Sequence, residues 1–183
     1  MIRLYKYLLE IIKKIEGNVI GIGLDDKLLD GFNKNNRVNV YTIEKAKPSF
    51  GMGGGKNKKR KTNSGKTINI KKLYKYFKKN SVDYIIGNIE EVNDYLKYFI
   101  RDSIYLDKKM IYLYGSKDKL DIELLSRRYK RYKSNIEVKE FKDSVLLIID
   151  NSKVKSNWFK NKGYYISDTM YNLVEFISNI LVS

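Results

Sequence analysis

The apolar positions along this chain switch repeatedly between a helical and a strand period. Residues 2–15 place Leu4, Leu8, Ile11, Ile12 and Ile15 three or four apart, with Lys6, Glu10, Lys13 and Lys14 between them, which predicts an amphipathic helix. Residues 18–24 (NVIGIGL) form an apolar, β-branched run entering a glycine-bearing turn, the pattern of a strand buried on both faces. A short helix over 25–35, with Leu28, Leu29 and Phe32 inward, leads to a second strand at 38–43 that runs into Glu44. Residues 82–89 (VDYIIGNI) predict another strong strand, followed by a helix from about 91 to 101 and a strand at 109–114 ending at Gly115. The helix predicted over 118–133 starts acidic and ends in RRYKRYK, a charge order that suits the helix dipole. The runs 136–141 and 144–150 are separated only by Lys142 and Asp143, which predicts a β-hairpin. Residues 168–181 return to a helical period, with Leu173, Phe176, Ile177 and Ile180 aligned.

Strands that alternate with helices imply a mostly parallel sheet covered on both faces, and the closing hairpin adds one antiparallel strand. The expectation is an α/β fold: a three-layer α/β/α sandwich around a Rossmann-like sheet. With 183 residues, 43% of them hydrophobic, the chain has material for one well-buried core, whereas two domains would each approach the lower limit of independent stability. One domain over 1–183 is therefore expected, with 151–183 as a helical tail.

One segment breaks the pattern. Residues 45–66 have no apolar period, hold the only proline and contain the glycine cluster at 51–55, as expected of a long loop or arm. A short strand at 67–70 and a helix over 71–80, with Leu73, Tyr76 and Phe77 on one face, are predicted after it. The formal charge is +16, and the abundance of Lys, Asn, Ile and Tyr is what an AT-rich genome would produce by itself. Its distribution says more: thirteen basic residues and no acidic one lie between Lys45 and Lys79, while the other 24 basic residues face 21 acidic ones.

The chain has neither cysteine nor histidine, which excludes disulfides, thiol nucleophiles, Cys/His zinc sites and imidazole proton transfer. Lys and Glu interrupt the apolar residues of the amino terminus, so it has no signal-peptide core, and no run approaches the roughly 18 apolar residues of a membrane span. A soluble cytoplasmic protein without metal is expected.

Candidate chemistry gathers where the first strand ends. Gly21 and Gly23 would let the backbone turn tightly and approach a ligand, and Asp25 or Asp26 would cap the next helix. Glu44 follows by about 20 residues, at the end of the second strand, where a carboxylate can accept both ribose hydroxyl hydrogens. Without a ligand, the same residues make a tight turn and a solvated acid. Residues 63–67 (NSGKT) imitate the end of a phosphate-binding loop, but Arg60 occupies the required glycine position and no strand precedes it.

With its leading helix, GIG turn, Glu44 and terminal hairpin at 136–150, the sequence resembles the class I S-adenosylmethionine-dependent methyltransferases over about residues 1–150. The resemblance implies a sheet whose last strand is reversed. It also implies S-adenosylmethionine as cofactor, contacts from Gly21, Gly23 and Glu44, and a reacting centre near Asn88; Asp25, in the same turn, is a further candidate for the cofactor. The sequence departs from the family pattern at several places. Val19 stands where an acid usually precedes the first glycine, Asp25 replaces a small residue, and Ile70 runs into Lys71 and Lys72 instead of an adenine-contacting acid. The strand at 82–89 ends in GNIEE, not in an Asn/Asp-Pro-Pro-aromatic motif. Asn88, Glu90 or Glu91 would orient a nucleophile, or else form a strand end and a helix-capping acid pair.

Two basic clusters are candidate nucleic-acid contacts. Lys56, Lys58, Lys59, Arg60, Lys61 and Lys66 lie in the 45–66 arm, which leaves the sheet on the crevice side. Arg127, Arg128 and Arg131, with Lys130 and Lys133, alternate with Tyr129 and Tyr132. They would contact phosphate and stack on bases, or form the basic end of a helix whose tyrosines pack on the sheet. The expected function is a methyltransferase-like protein that acts on or binds nucleic acid, RNA in preference to DNA, with Asn88 and Glu90 at the reacting centre. The alternative is a non-catalytic module with a decayed cofactor site that binds nucleic acid or a ribonucleoprotein; a small-molecule enzyme with a basic lid is a third reading. A second copy of the chain is a possible partner.

Overall fold

The computed structural model describes residues 2–43, 70–92, 96–119, 121–132 and 134–154. Glu44, the 45–66 arm, most of the strand predicted at 67–70 and the helix predicted at 168–181 lie outside them. The chain opens with helix α1 (Ile2–Lys14) and strand β1 (Gly17–Ile22), then α2 (Asp26–Asn33) and β2 (Val38–Ile43). A 3₁₀ helix over Ile70–Lys75 precedes β3 (Val82–Asn88), the single-turn α3 (Ile89–Val92) and α4 (Leu96–Leu106). Strand β4 (Asp107–Ser116), a 3₁₀ turn at Lys117–Lys119 and α5 (Ile122–Arg131) lead into the hairpin β5 (Asn135–Glu140) and β6 (Ser144–Asp150).

The six strands run in the order β2-β1-β3-β4-β6-β5. Strands β2, β1, β3 and β4 are parallel, and β6 lies antiparallel between β4 and β5, as the predicted hairpin requires. The chain steps from β1 to β2 on one side and returns to β3 on the other, so the order reverses between β1 and β3. A crevice opens at such a reversal, beyond the carboxyl ends of the strands.

Both faces of the sheet are buried. Leu4, Leu8 and Ile12 of α1 and Leu28 and Phe32 of α2 pack on Val19, Ile86, Tyr112, Tyr114, Leu146 and Ile148. The alternate residues Ile20, Ile22, Ile85, Ile111, Leu113, Val145 and Leu147 meet α4 and α5 through Phe99, Ile100, Ile104, Leu125 and Tyr129. This is the expected three-layer sandwich, and double-sided burial explains why the strands read as unbroken apolar runs.

Several boundaries differ from the sequence expectation. The helix expected at 71–80 is the 3₁₀ helix Ile70–Lys75, in which Leu73 is buried but Tyr76, just beyond its end, is 45% exposed. This segment is tied to α4 by Asp102, which accepts from the Tyr74 backbone N–H at 3.4 Å, and by Arg101, which lies over the Tyr74 ring. Of the helix expected at 91–101, the structure describes α3, which Asn88 starts directly at the strand end, and α4 from Leu96 onward. Asp121 caps α5 through the Leu124 N–H at 2.8 Å, so this helix begins later than position 118.

At the opposite end from the crevice, β4 starts on a buried acid. Asp107 is 3% exposed and accepts from Asn151, which in turn accepts from Ser134, while no donor reaches its Oδ1 among the described residues. Burial pushes its carboxyl well above the usual carboxylate range and the charge of Asp83 adds to the rise, while the Asn151 amide opposes it. A folded-state pKa above the unfolded one gives stability that is complete below about pH 4 and is lost as pH rises through the folded value. Asp107→Asn, which keeps the acceptor for Asn151 and removes the charge, should therefore stabilise the fold at pH 7 by about 1–3 kcal/mol. Thermal melts at both pH values check this, and the gain over wild type should vanish near pH 3.5.

Candidate functional site at the reversal point

The turn after β1 is shaped by one backbone conformation. Gly23 has φ +58°, in the left-handed region, and its N–H continues the ladder to β2 by donating to the Ile43 carbonyl at 3.2 Å. Gly21 is not in the turn: it lies within β1, paired with Thr42 and Ile86, and its missing side chain leaves room for Leu24 to fold back. The turn is thus made by Gly23 alone, and Gly21 lets it pack closely.

Asp25 is the α2 cap, its Oδ1 accepting from the Leu28 N–H at 3.0 Å. Its carboxylate also accepts from the Tyr5 hydroxyl, and burial together with this bond pushes the Tyr5 pKa up to about 12. Tyr114, beside Asn88 in the β3–β4 register, donates its hydroxyl to the Gly23 carbonyl at 3.4 Å; burial raises its pKa too. Two tyrosines from α1 and β4 therefore hold the turn from below. The sequence pattern marked both only as helix and strand positions, because a hydroxyl reaching another element leaves no periodic trace.

Strand β3 delivers its end to the same place. Asn88 accepts from the Glu90 N–H at 3.0 Å, starting α3, and Glu90 pairs with Lys119 at 2.9 Å across a half-exposed surface. Glu91 turns inward, so that a side chain at position 23 would run into its Cγ and approach the Asn88 Cβ to 3.4 Å. Among the described residues no donor reaches Glu91 Oε2, although that atom is buried. The fold thus brings Gly23, Asn88 and Glu91 into contact distance across the β1–β3 boundary. The residue underweighted from sequence is Glu91, whose only signal was its place in an acid pair after a strand end.

The candidates on α5 do not join this site. Arg127 is exposed, whereas Arg128, Tyr129 and Tyr132 are buried, and Tyr129 reaches Ser103 of α4 at 3.2 Å. The tyrosines pack on the sheet and are not free to stack on bases. Helix α5 descends from the end of β4, so its basic carboxyl end lies away from the crevice. Glu44 and the arm residues Lys56, Lys58, Lys59, Arg60, Lys61 and Lys66 fall outside the described residues. Among the described residues no group of His, Cys, Asp and Glu forms a metal site, and no helix is long and apolar enough to cross a membrane.

No family model matches the chain, and no curated protein matches it in sequence. Solved structures do match its architecture. A S-adenosylmethionine-dependent methyltransferase from Archaeoglobus fulgidus superposes with a TM-score of 0.60 at 9% identity, over 81% of this chain and 91% of that one. The T. thermophilus 16S rRNA N2 G1207 methyltransferase RsmC, solved with S-adenosylmethionine and guanosine, gives 0.51 at 12% identity over 85% of this chain, which spans 40% of that protein. A predicted O-methyltransferase from Agrobacterium tumefaciens gives 0.52 at 8% identity, over 80% and 81% of the two chains. The chain has the methyltransferase-like Rossmann fold that its GIG turn and reversed last strand anticipated.

Substituting Gly23 tests the turn. Gly23→Ala combines left-handed strain of about 1–2 kcal/mol with the collision at Glu91, and should cost at least about 2 kcal/mol in urea unfolding. Gly21→Ala, at an ordinary strand conformation, meets only the end of the Leu24 side chain and should cost less.

Proposed function

We propose that this methyltransferase-like chain binds S-adenosylmethionine where β1 and β3 end and acts on nucleic acid, RNA in preference to DNA. The observation that carries the cofactor class is the charge of the site. A pyrophosphate cofactor would set two negative groups beside the Asp25 and Glu91 carboxylates, whereas S-adenosylmethionine, net positive through its sulfonium and ammonium despite its one carboxylate, meets a more favourable field. Gly21, Gly23 and Asp25 would form the turn that receives it, and Glu44 would take the ribose hydroxyls.

Bound S-adenosylmethionine supplies an electrophilic methyl group. The chain's contribution is alignment, which accounts for much of the rate in a transfer needing no imidazole. Tyr5 and Tyr114 fix the turn, and Asn88 and Glu90 are the candidates for orienting a nucleophile at the β3 end. The arm bearing Lys56, Lys58, Lys59, Arg60, Lys61 and Lys66 would hold the phosphate backbone, consistent with its lack of acidic residues. The rRNA enzyme among the solved structures of this fold supports RNA as the substrate class.

A second reading is a binding module without catalysis. Val19 is fully buried, Asn88 already accepts from its own helix, and Glu90 is paired with Lys119. Calorimetric titration decides between the two. The enzyme reading expects saturable binding of S-adenosylmethionine, and no heat at millimolar ligand would leave the module. Neutralising Lys58, Lys59, Arg60 and Lys61 together should lower the slope of log affinity for single-stranded RNA against log salt by up to about 3. An unchanged slope would refute the arm as the clamp.

A further inference from the structure

We infer that the end of the sheet opposite the crevice is a second binding surface, one that holds the phosphates of single-stranded RNA. The inference shares its ligand class with the reading above but needs neither the cofactor nor the 45–66 arm. Six exposed cations define the surface: Lys14 ends α1, Lys34 follows α2 as its cap, Arg37 precedes β2, Lys78 and Lys79 precede β3, and Lys108 lies at the start of β4. Hydrogen bonds make the surface continuous. The Arg37 guanidinium donates to the Lys13 carbonyl, the Asn39 amide to Asn18 Oδ1, and the Asn18 amide to the Ser81 carbonyl. Ser81 donates in turn to the Lys78 carbonyl, and the Asn18 N–H donates to Asp83, which pairs with Lys108 and Lys109.

Charge is sorted between surface and interior. Asp83 is buried, one carboxylate against two lysines, and Asp107 is buried and displaced toward its neutral form. The acids at the surface here are Glu10, Glu16, Asp30 and Asp150; Glu10 is tied to Lys13, and Lys109 and Lys153 add further cations. Lys14, Lys34, Lys78 and Lys79 form no ion pair among the described residues. A helix dipole accounts for Lys14 and Lys34, at helix carboxyl ends, but not for the other four cations. An AT-rich codon bias would spread lysine over both ends, whereas the crevice end carries Asp25, Asp26, Glu90 and Glu91.

From Arg37 at β2 to Lys108 at β4 the surface crosses three strand spacings, about 14 Å, over which one nucleic-acid strand at duplex rise presents about four phosphates. Tyr76 is 45% exposed between Lys75 and Lys78, while its neighbour Phe77 packs edge-on against Tyr41. It offers an aromatic face to an unpaired base. Tyr76 and Val138 are the only exposed large apolar side chains among the described residues, too little to enter a bilayer.

The affinity of the full chain for a single-stranded RNA oligonucleotide across a salt series tests this. Replacing Lys14, Lys34, Lys78 and Lys79 together by Gln should lower the slope of log affinity against log salt by about 2–3, at about 0.7 per phosphate contact. The same change at Lys6, Lys27 and Lys142, exposed toward the crevice end, should lower it by less than about 0.5. Tyr76→Leu should weaken binding about fivefold or more and leave the slope unchanged. No loss of slope in the four-lysine variant, or equal loss per charge at the two ends, would overturn the surface; if neutralising the arm still lowers the slope, the arm reading stands without it. Wild-type affinity in Tyr76→Leu would overturn the single-strand assignment. Vesicles of phosphatidylserine and phosphatidylcholine should not be bound at physiological salt; vesicle binding that the four-lysine variant abolishes while RNA binding persists would assign the surface to a membrane instead.

Discussion

A sheet covered on both faces by helices leaves no room for polar side chains along its strands, and most other features of this chain follow from that constraint. Alternate residues of β1, β3, β4 and β6 enter two separate apolar clusters, one under α1 and α2 and the other under α4 and α5. Hydrogen-bonding side chains are therefore confined to the strand ends. Asp83, Asp107, Asn151 and Ser134 collect at one end, and Asp25, Asn88, Glu90 and Glu91 at the other. Only the second end coincides with the reversal of strand order, where successive crossovers diverge and a ligand can reach backbone.

The two ends handle their carboxylates differently. At the β4 start, burial drives Asp107 toward its neutral form, which suits an acid enclosed by Asn151 and the sheet. At the crevice, Asp25 is stabilised by a helix N-terminus and a tyrosine, and Glu90 by a lysine. Glu91, like Asp107 at the other end, keeps a buried oxygen that no donor reaches among the described residues.

The electrostatics divide in a corresponding way. The described crevice is lined by carboxylates, which disfavours phosphate there, while the acid-free run of basic residues lies in a separate stretch of sequence.

The alternation of apolar periods was enough to read the three layers, the parallel strands and the closing hairpin, because hydrophobic burial is set by the residue itself and repeats along the chain. Gly23 and the capping role of Asp25 were equally legible, since both are local backbone requirements. The sequence did not show that Gly21 lies inside β1, that residues 70–75 form a 3₁₀ helix held by Asp102, or that Tyr129 is buried against Ser103. Nor did it single out Glu91 from its neighbour Glu90, two adjacent acids with identical chemistry. Each depends on contacts between residues tens of positions apart, which carry no period. Composition and spacing determined which elements form and which faces they bury; only the tertiary packing decided which of two neighbouring carboxylates pairs with a surface lysine and which is turned onto the glycine turn.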